Sequence, residues 1–229
     1  MPAHNEQDYL RPAVIEVVRG LRTRTRPFEL IISENGSTDR TIEVAEELAR
    51  EYDEVTVLSL PSADYGRALR AGFLAATGEL VANFDVDYVD LGFLDQAIGL
   101  MDADRGPAAV VASKRSPGAH DTRPVGRRLV TAVFALILRV GFRIGVSDTH
   151  GMKVMVRAPF VPIVEASRFG TDLFDTELIL RAERAGLVVA ELPVTVRDTR
   201  PPRSSIVKRI PRSLAGLVRL RVALWRERR

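Results

Sequence analysis

The chain has 229 residues, 46 % of them apolar and 28 % charged, and no cysteine; this excludes global disorder, a disulfide scaffold and any thiolate or cysteine-metal chemistry, and leaves enough apolar material for a sizeable core. The net charge of +3 hides an asymmetry, because residues 197–229 hold 11 Lys/Arg against 2 acids and the first 196 residues are therefore net −6. A mildly acidic body ending in a basic tail points to an anionic partner: phosphates, nucleic acid or a membrane surface.

In chain order, Pro2–Glu6 reads as the loop that follows a strand, and the opening strand itself is expected to be missing. Glu6–Arg22 predicts a helix, with Leu10, Val14, Val17, Val18 and Leu21 at helical spacing. Phe28–Ser33 predicts a buried strand, Thr38–Glu51 a helix, Val55–Leu60 a strand, Asp64–Thr77 a helix, Leu80–Phe84 a strand, Leu91–Met101 a helix and Ala108–Ala112 a strand. Strands alternating with helices of this length predict an α/β fold with a parallel, doubly wound sheet. Ligands of such sheets sit beyond the carboxyl ends of the strands, which directs attention to Ser33–Asp39, Ser59–Gly66, Asp85–Asp90 and Ser113–Arg115.

The second half is less regular. Pro124–Phe142 predicts a helix, Met152–Val156 a strand, Asp172–Ala185 a helix, and Leu187–Val196 one or two strands around Pro193. Ile206–Arg226 predicts a basic amphipathic helix interrupted near Pro211. The longest uncharged apolar run, Leu129–Leu138, is roughly half the ~20 residues that a spanning helix needs. The tail helix has two readings: docked at a bilayer interface through its arginines and apolar face, or packed on the body with a solvated basic face. Nucleic-acid binding is not expected, since the basic tail lacks an aromatic platform and the chain has one Trp.

Two motifs carry chemistry. In Asn83-Phe84-Asp85-Val86-Asp87, two carboxylates at i and i+2 extend one strand end and share a side, with Val86 on the other. Such a pair suits a hard divalent cation completed by diphosphate oxygens; the other reading is a polar loop. In Glu34-Asn35-Gly36-Ser37-Thr38-Asp39-Arg40-Thr41, a strand end meets a helix start, with Gly36 permitting an unusual backbone and Ser37, Thr38 or Asp39 favouring the helix N-terminus. By itself this is also a well-made cap.

Taken together in this order, the motifs resemble the family-2 glycosyltransferases, whose nucleotide-binding half shows a proline-bearing Asn-Glu loop, then an Asp-Asp-Gly-Ser-Thr-Asp stretch, then Asp-x-Asp. This sequence supplies Pro2–Glu6, Glu34–Thr41 and Asp85–Asp87, with Gly66–Gly72 and Gly78-Glu79 between them. Ala112–Arg115, Asp148–Lys153, Phe174–Leu178, Glu191–Val194 and Arg200–Ser205 are similar to the polyprenyl-phosphate sugar transferases, such as dolichyl-phosphate mannose and glucose synthases. The sequence departs from the pattern at Glu34 and Asn35, which stand where two Asp are usual, and at Tyr88-Val89, which stands where Leu-Gln is common.

The resemblance implies a GT-A fold, with a mostly parallel sheet, over residues 1–205: a nucleotide-sugar half of about 1–115, an acceptor half of about 116–205, and residues 206–229 as the basic C-terminal helix. It implies that Pro2, Ala3, Asn5, Glu6, Glu34 and Asn35 line the donor nucleotide site. Asp85 and Asp87 would hold the donor and a Mg²⁺ or Mn²⁺ ion. Asp87, Asp148 and Asp175 would lie at the reacting centre, and Arg115, Arg127, Arg128 and Arg203 would contact phosphate. The implied activity is inverting transfer of a hexose from a UDP- or GDP-sugar to a polyprenyl phosphate, by an enzyme peripheral on the inner, cytoplasmic face of a membrane. Two other readings remain: a hydroxyl acceptor with Asp175 or Asp148 as general base, or an idle nucleotide- or membrane-surface-binding module. His150 reads either as a group near the acceptor or as an ordinary loop histidine.

Overall fold

The computed structural model describes residues 1–122, 125–170, 173–196 and 206–227. In chain order the elements are β1 (Pro2–Ala3), α1 (Leu10–Arg22), β2 (Leu30–Asn35), α2 (Thr41–Glu51), β3 (Val55–Leu60), α3 (Tyr65–Ala75), β4 (Leu80–Asn83), α4 (Leu91–Met101), β5 (Ala109–Ser113), β6 (His120–Asp121), α5 (Val125–Phe142), β7 (Lys153–Val156), α6 (Arg157–Ala166), α7 (Phe174–Arg184), β8 (Val189–Pro193), β9 (Thr195–Val196) and α8 (Ile206–Arg226). The expected alternation of strand and helix through β5 is present. Among the described residues the strands form three sheets: β1-β2-β3, wholly parallel; β4-β7-β5-β8; and the pair β6-β9.

The apolar spacing seen in the sequence does the packing. Leu10, Val14, Val17 and Val18 of α1 are buried beside Leu30 and Ile32 of β2, Val110 of β5 and Val154 of β7. A second cluster joins α5, α7 and α8 through Leu138, Phe142, Ile179, Leu217, Leu220 and Leu224. A third places Phe73 of α3 against Phe160 and Val164 of α6 and Phe174 and Leu178 of α7. Asp64 and Asp90 cap α3 and α4 by accepting the backbone N–H of Arg67 and Phe93, so each helix starts where a short carboxylate can satisfy its first-turn donors.

Two expectations are corrected and two details are added. The opening strand is present as β1, parallel to β2, with Pro2 opposite Ser33 and Ala3 opposite Glu34. Pro2 lacks an N–H and so reads as loop, but the Met1 ammonium donates to Ile31 O and Met1 O accepts from Ser33 N–H, both at 2.8 Å, which sustains the ladder. The strand pairing is mostly parallel, as expected; the exception is β7, which runs antiparallel to both β4 and β5. Arg157–Ala166 forms the unexpected helix α6 despite Pro159 and Pro162; Pro159 falls in the first turn, where an N–H has no intrahelical partner to lose. Finally, α8 continues through Pro211, held on the body by Leu217, Leu220 and Leu224.

Candidate active site

The carboxyl ends of β2 and β4 and the loop after β1 converge, as the strand-end rule requires. Gly36 has φ +65, and a Cβ there would lie 2.8 Å from Ser62 Cα, so the turn after β2 requires glycine. Asn5 is also left-handed, with φ 54, a conformation Asn tolerates better than most residues. Its N–H donates to Ser37 Oγ (3.0 Å) and its Oδ1 accepts the Thr38 N–H (2.8 Å). Asn35, buried, donates through Nδ2 to Ala3 O (3.1 Å) and accepts the Asp64 N–H through Oδ1 (3.2 Å). Glu34, also buried, accepts the Ser37 N–H at 2.6 Å and the Ser59 hydroxyl at 3.3 Å. The Glu6 N–H donates to Thr41 Oγ1 (2.7 Å). Pro2, Ala3, Asn5, Glu6, Glu34 and Asn35 are thus brought together. The bonds made by Glu34 and Asn35 shape the loops from within.

The charged centre lies at the end of β4. The expected strand extension is corrected: β4 ends at Asn83, and Asp85–Tyr88 is a tight turn closed by an isolated bridge, the Tyr88 N–H donating to Asp85 O at 3.1 Å. The turn leaves Asp85 half-buried and Asp87 exposed, with Val86 buried between them. The Tyr65 hydroxyl donates to Asp85 Oδ1 at 2.9 Å. Burial, reinforced by the charges of Asp175 and Asp87, pushes the Asp85 carboxyl above its usual range against the Tyr65 bond and the charge of Lys153. Burial and the charges of Asp85, Asp175 and Asp87 push the Tyr65 hydroxyl well above its usual value, so it stays a protonated donor.

Lys153, on β7, is 1 % exposed and its Nζ sits 2.8 Å from Asp175 Oδ1 and 2.7 Å from Gly151 O. Asp175 is in the first turn of α7 and buried. Sequence reasoning missed Tyr65 and Lys153 as site residues. A lysine inside an otherwise apolar alternating strand was the available signal for Lys153.

Asp148 occupies the loop before β7. Burial alone would raise its pKa, but the Lys114 ammonium 3.6 Å away and the His150 N–H, which donates to Asp148 Oδ1 at 3.0 Å, hold the carboxyl below its usual range. Glu191 Oε1 fixes the loop by accepting the Ser147 N–H and hydroxyl, both at 2.8 Å, and the Asp148 N–H at 3.1 Å. Thr149 Oγ1 meets Thr176 Oγ1 at 3.0 Å, tying this loop to the start of α7 beside Asp175. His150 is exposed, its Nδ1 3.1 Å from Thr149 Oγ1 and its ring edge-to-face with Phe134. Arg115 and Arg128 are exposed. Arg203 and the side chain of Arg127 lie outside the described residues.

Among the described residues no three His, Asp or Glu side chains are arranged to hold an ion by themselves. The charges of Asp87 and Asp175 nevertheless both act on Asp85, with Lys153 as the neighbouring cation. A divalent ion on Asp85 and Asp87, completed by oxygens from a bound diphosphate, fits that excess of negative charge and the hard-oxygen donor set.

The sequence profile described as Glycosyl transferase family 2 matches residues 1–160. The chain is 29 % identical over 205 residues to a dolichyl-phosphate beta-glucosyltransferase of Trichomonas vaginalis, covering 85 % of this chain and 63 % of that protein. It is 30 % identical over 199 residues to the glycosyltransferase AglD of Haloferax volcanii, covering 85 % of this chain and 32 % of that protein; it therefore spans less than two thirds of either relative. It is 32 % identical over 228 residues to an uncharacterized glycosyltransferase of Mycobacterium bovis, covering 99 % and 94 %. Its fold matches a crystal structure of glucosyl-3-phosphoglycerate synthase from Mycobacterium tuberculosis in complex with Mn²⁺, UDP and glucosyl-3-phosphoglycerate, at TM-score 0.69 and 22 % identity, over 96 % of this chain and 77 % of that one.

Proposed function

The chain belongs to glycosyl transferase family 2, and from that premise we propose that it transfers a hexose, with inversion, from a nucleotide-sugar to a polyprenyl phosphate. The donor nucleotide lies along the loops of Asn5, Glu34 and Asn35, and its diphosphate at Asp85 and Asp87. A Mg²⁺ or Mn²⁺ ion bound there would offset the diphosphate charge as the nucleoside diphosphate leaves. Tyr65 orients Asp85 by donating to it, and Lys153 holds Asp175 in place. Arg115 and Arg128, whose planar forks suit phosphate oxygens, are the described cations offered to the acceptor.

The choice of acceptor rests on the state of the two carboxylates that could serve as a base. Asp175 is ion-paired with Lys153 and Asp148 is held below its usual range by Lys114. Asp148 is thereby a weaker base for a sugar hydroxyl, and the Asp175 Oδ1 already faces the Lys153 ammonium. A phosphate monoester, with a second pKa of about 6, is already a nucleophile at neutral pH. The Trichomonas relative, a dolichyl-phosphate beta-glucosyltransferase, supports the same acceptor class.

A lipid acceptor calls for contact with a membrane surface. Among the described residues no helix is long and apolar enough to cross a bilayer. However, α5 exposes Val125, Leu129, Val133, Leu136 and Val140 at spacings of four, four, three and four, one helical stripe. The adjoining α8 exposes Leu214, Val218, Val222 and Trp225 while Leu217, Leu220 and Leu224 pack inward. The two expectations for the tail thus concern different faces of one helix: the inner face is packed, and the outer one is apolar with exposed Arg219, Arg221 and Arg226 beside it. Anionic lipid suits that combination.

The donor half of the reading is tested by thermal shift with UDP- and GDP-hexoses, with and without Mn²⁺. A bound donor raises the melting temperature by mass action, and no shift with any donor removes the reading.

A further inference from the structure

The start of α3 is fixed on two sides. Asp64 caps the helix, and its own N–H donates to Asn35 Oδ1 in the donor loop at 3.2 Å. On the other side, a Cβ on Gly66 would stand 2.7 Å from Phe174 Cβ and 2.8 Å from the carbonyl carbon of Gly170. Only glycine lets the helix start lie this close to the α6–α7 connection. Tyr65 sits between these two contacts, and its hydroxyl donates to Asp85 Oδ1 at 2.9 Å.

Asp85 is fixed as well, since its carbonyl accepts the Tyr88 N–H at 3.1 Å across the turn after β4. Both ends of the Tyr65–Asp85 bond are therefore anchored by contacts that do not depend on it. Among the described residues the Tyr65 hydroxyl is the one hydrogen-bond donor to the Asp85 carboxylate. The two carboxylate oxygens are thus unequal: Oδ1 holds a phenol and Oδ2 does not.

That inequality bears on the ion that Asp85 can ligate. Mg²⁺ is small and demands near-octahedral geometry, a preference for octahedral oxygen donors that Mn²⁺ shares. The narrow bite of a carboxylate that gives both oxygens to one ion distorts an octahedron. Ca²⁺ is larger, tolerates irregular shells and readily takes both oxygens of one carboxylate. An ion that takes both oxygens of Asp85 must share Oδ1 with the Tyr65 hydroxyl; an ion that takes Oδ2 alone need not.

We propose that Tyr65 is a positioning residue that selects the ion: by holding Oδ1 it confines Asp85 to ligation through one oxygen, and so favours Mg²⁺ or Mn²⁺ over Ca²⁺ at the donor diphosphate. This rests on the reading of Asp85 and Asp87 as the metal carboxylates, and adds to it a residue that lies outside the Asp-x-Asp motif. The bond from Asp64 to Asn35 places the hydroxyl relative to the donor loop, so the residue that restrains the carboxylate belongs to the same frame as the nucleotide site.

Tyr65→Phe keeps the ring and removes the hydroxyl. Affinity for UDP or GDP, whichever stabilises the protein in thermal shift, is measured by calorimetry with excess Mn²⁺, with excess Ca²⁺ and with EDTA. In the parent, Mn²⁺ should support binding at least about tenfold tighter than Ca²⁺ does. In Tyr65→Phe that preference should shrink by at least about fivefold, the scale of one ordinary hydrogen bond, while affinity in EDTA stays within about twofold of the parent. An unchanged preference overturns the proposal, as does an equal loss of affinity with both ions, which is what a purely structural role would give. A parent that binds equally well with Mn²⁺ and Ca²⁺, but better than with EDTA, also overturns it, whatever the variant does. Affinity in the parent that is the same with either ion and with EDTA instead removes the metal reading of Asp85 and Asp87 on which the proposal rests.

Discussion

Replacing Lys153 by Met keeps the length and apolar stem of the side chain and removes its charge. In the folded protein Lys153 is 1 % exposed and Asp175 5 % exposed, with Nζ and Oδ1 2.8 Å apart. At an effective dielectric constant of about 20, that separation corresponds to a gross attraction of about 6 kcal/mol, much of it offset by the cost of desolvating both ions. Removing one partner leaves the cost without the attraction, so Lys153→Met should lower the unfolding free energy by about 3–5 kcal/mol. Removing both is different: the pair Lys153→Met, Asp175→Leu should regain more than half of that loss, because the ion pair is removed whole and Asp85, which loses the attraction of Lys153, also loses the repulsion of Asp175. Urea unfolding reads the difference directly. With a slope near the upper end of the usual 1–3 kcal/mol/M, the single change should move the midpoint down by about 1–2 M. A loss below about 1 kcal/mol, or a double variant no more stable than the single one, would show that Lys153 is not the counter-charge of this centre.

Asp87 is exposed, so Asp87→Asn should change stability by no more than about 0.5 kcal/mol yet abolish the Mn²⁺ dependence of donor binding in calorimetry; retained dependence would move the metal role to Asp85 and Asp175. The Met1 ammonium, lowered to about 6 when folded, binds fewer protons folded than unfolded between about pH 6 and 8. Its penalty is therefore full below pH 6, and stability should rise through that window by about 2–3 kcal/mol. Acetylating the N terminus should remove that rise from the stability–pH curve, and an identical curve would refute the assignment. Leu129→Asp with Val133→Asp, both on the exposed stripe of α5, should abolish flotation with phosphatidylglycerol vesicles without lowering the melting temperature, and salt should weaken binding of the parent. Binding indifferent to these substitutions would place the membrane contact elsewhere.

The sequence resolved elements whose punctuation was local. Val55–Leu60 and Leu91–Met101 were legible to the residue, since a turn or an Asp cap bounds each apolar pattern. Where bonds to distant residues set a boundary, the sequence misplaced it. The first helix begins at Leu10 rather than Glu6, and the N–H groups of Glu6 and Gln7 instead bond Thr41 and Asp39 across the loop. The antiparallel course of β7 is a matter of tertiary pairing that no periodicity records. The Asp85–Asp87 pair was legible as a motif, but the turn that presents it was not: the chain bends back at Asp85–Tyr88, where the strand period no longer applies. Lys153 and Tyr65 were not, because their roles come from what faces them: Asp175 from α7 and Asp85 from the end of β4. The Asn5–Glu34–Asn35 cluster was legible as a resemblance, but the occupation of the Glu34 carboxylate by Ser37 and Ser59 appears only in three dimensions.

The central claim is that the acceptor is a phosphate and needs no protein base. It is tested most directly by single-turnover transfer of a radiolabelled hexose, from the donor selected by thermal shift, to a short polyprenyl phosphate and to the polyprenol of the same length. Transfer should occur to the phosphate and not to the alcohol, and Arg115→Ala or Arg128→Ala should slow it by at least about tenfold while weakening donor binding less. Transfer to the alcohol alone, or undiminished transfer to the phosphate in both arginine variants, would contradict the account and return Asp148 or Asp175 to the role of base.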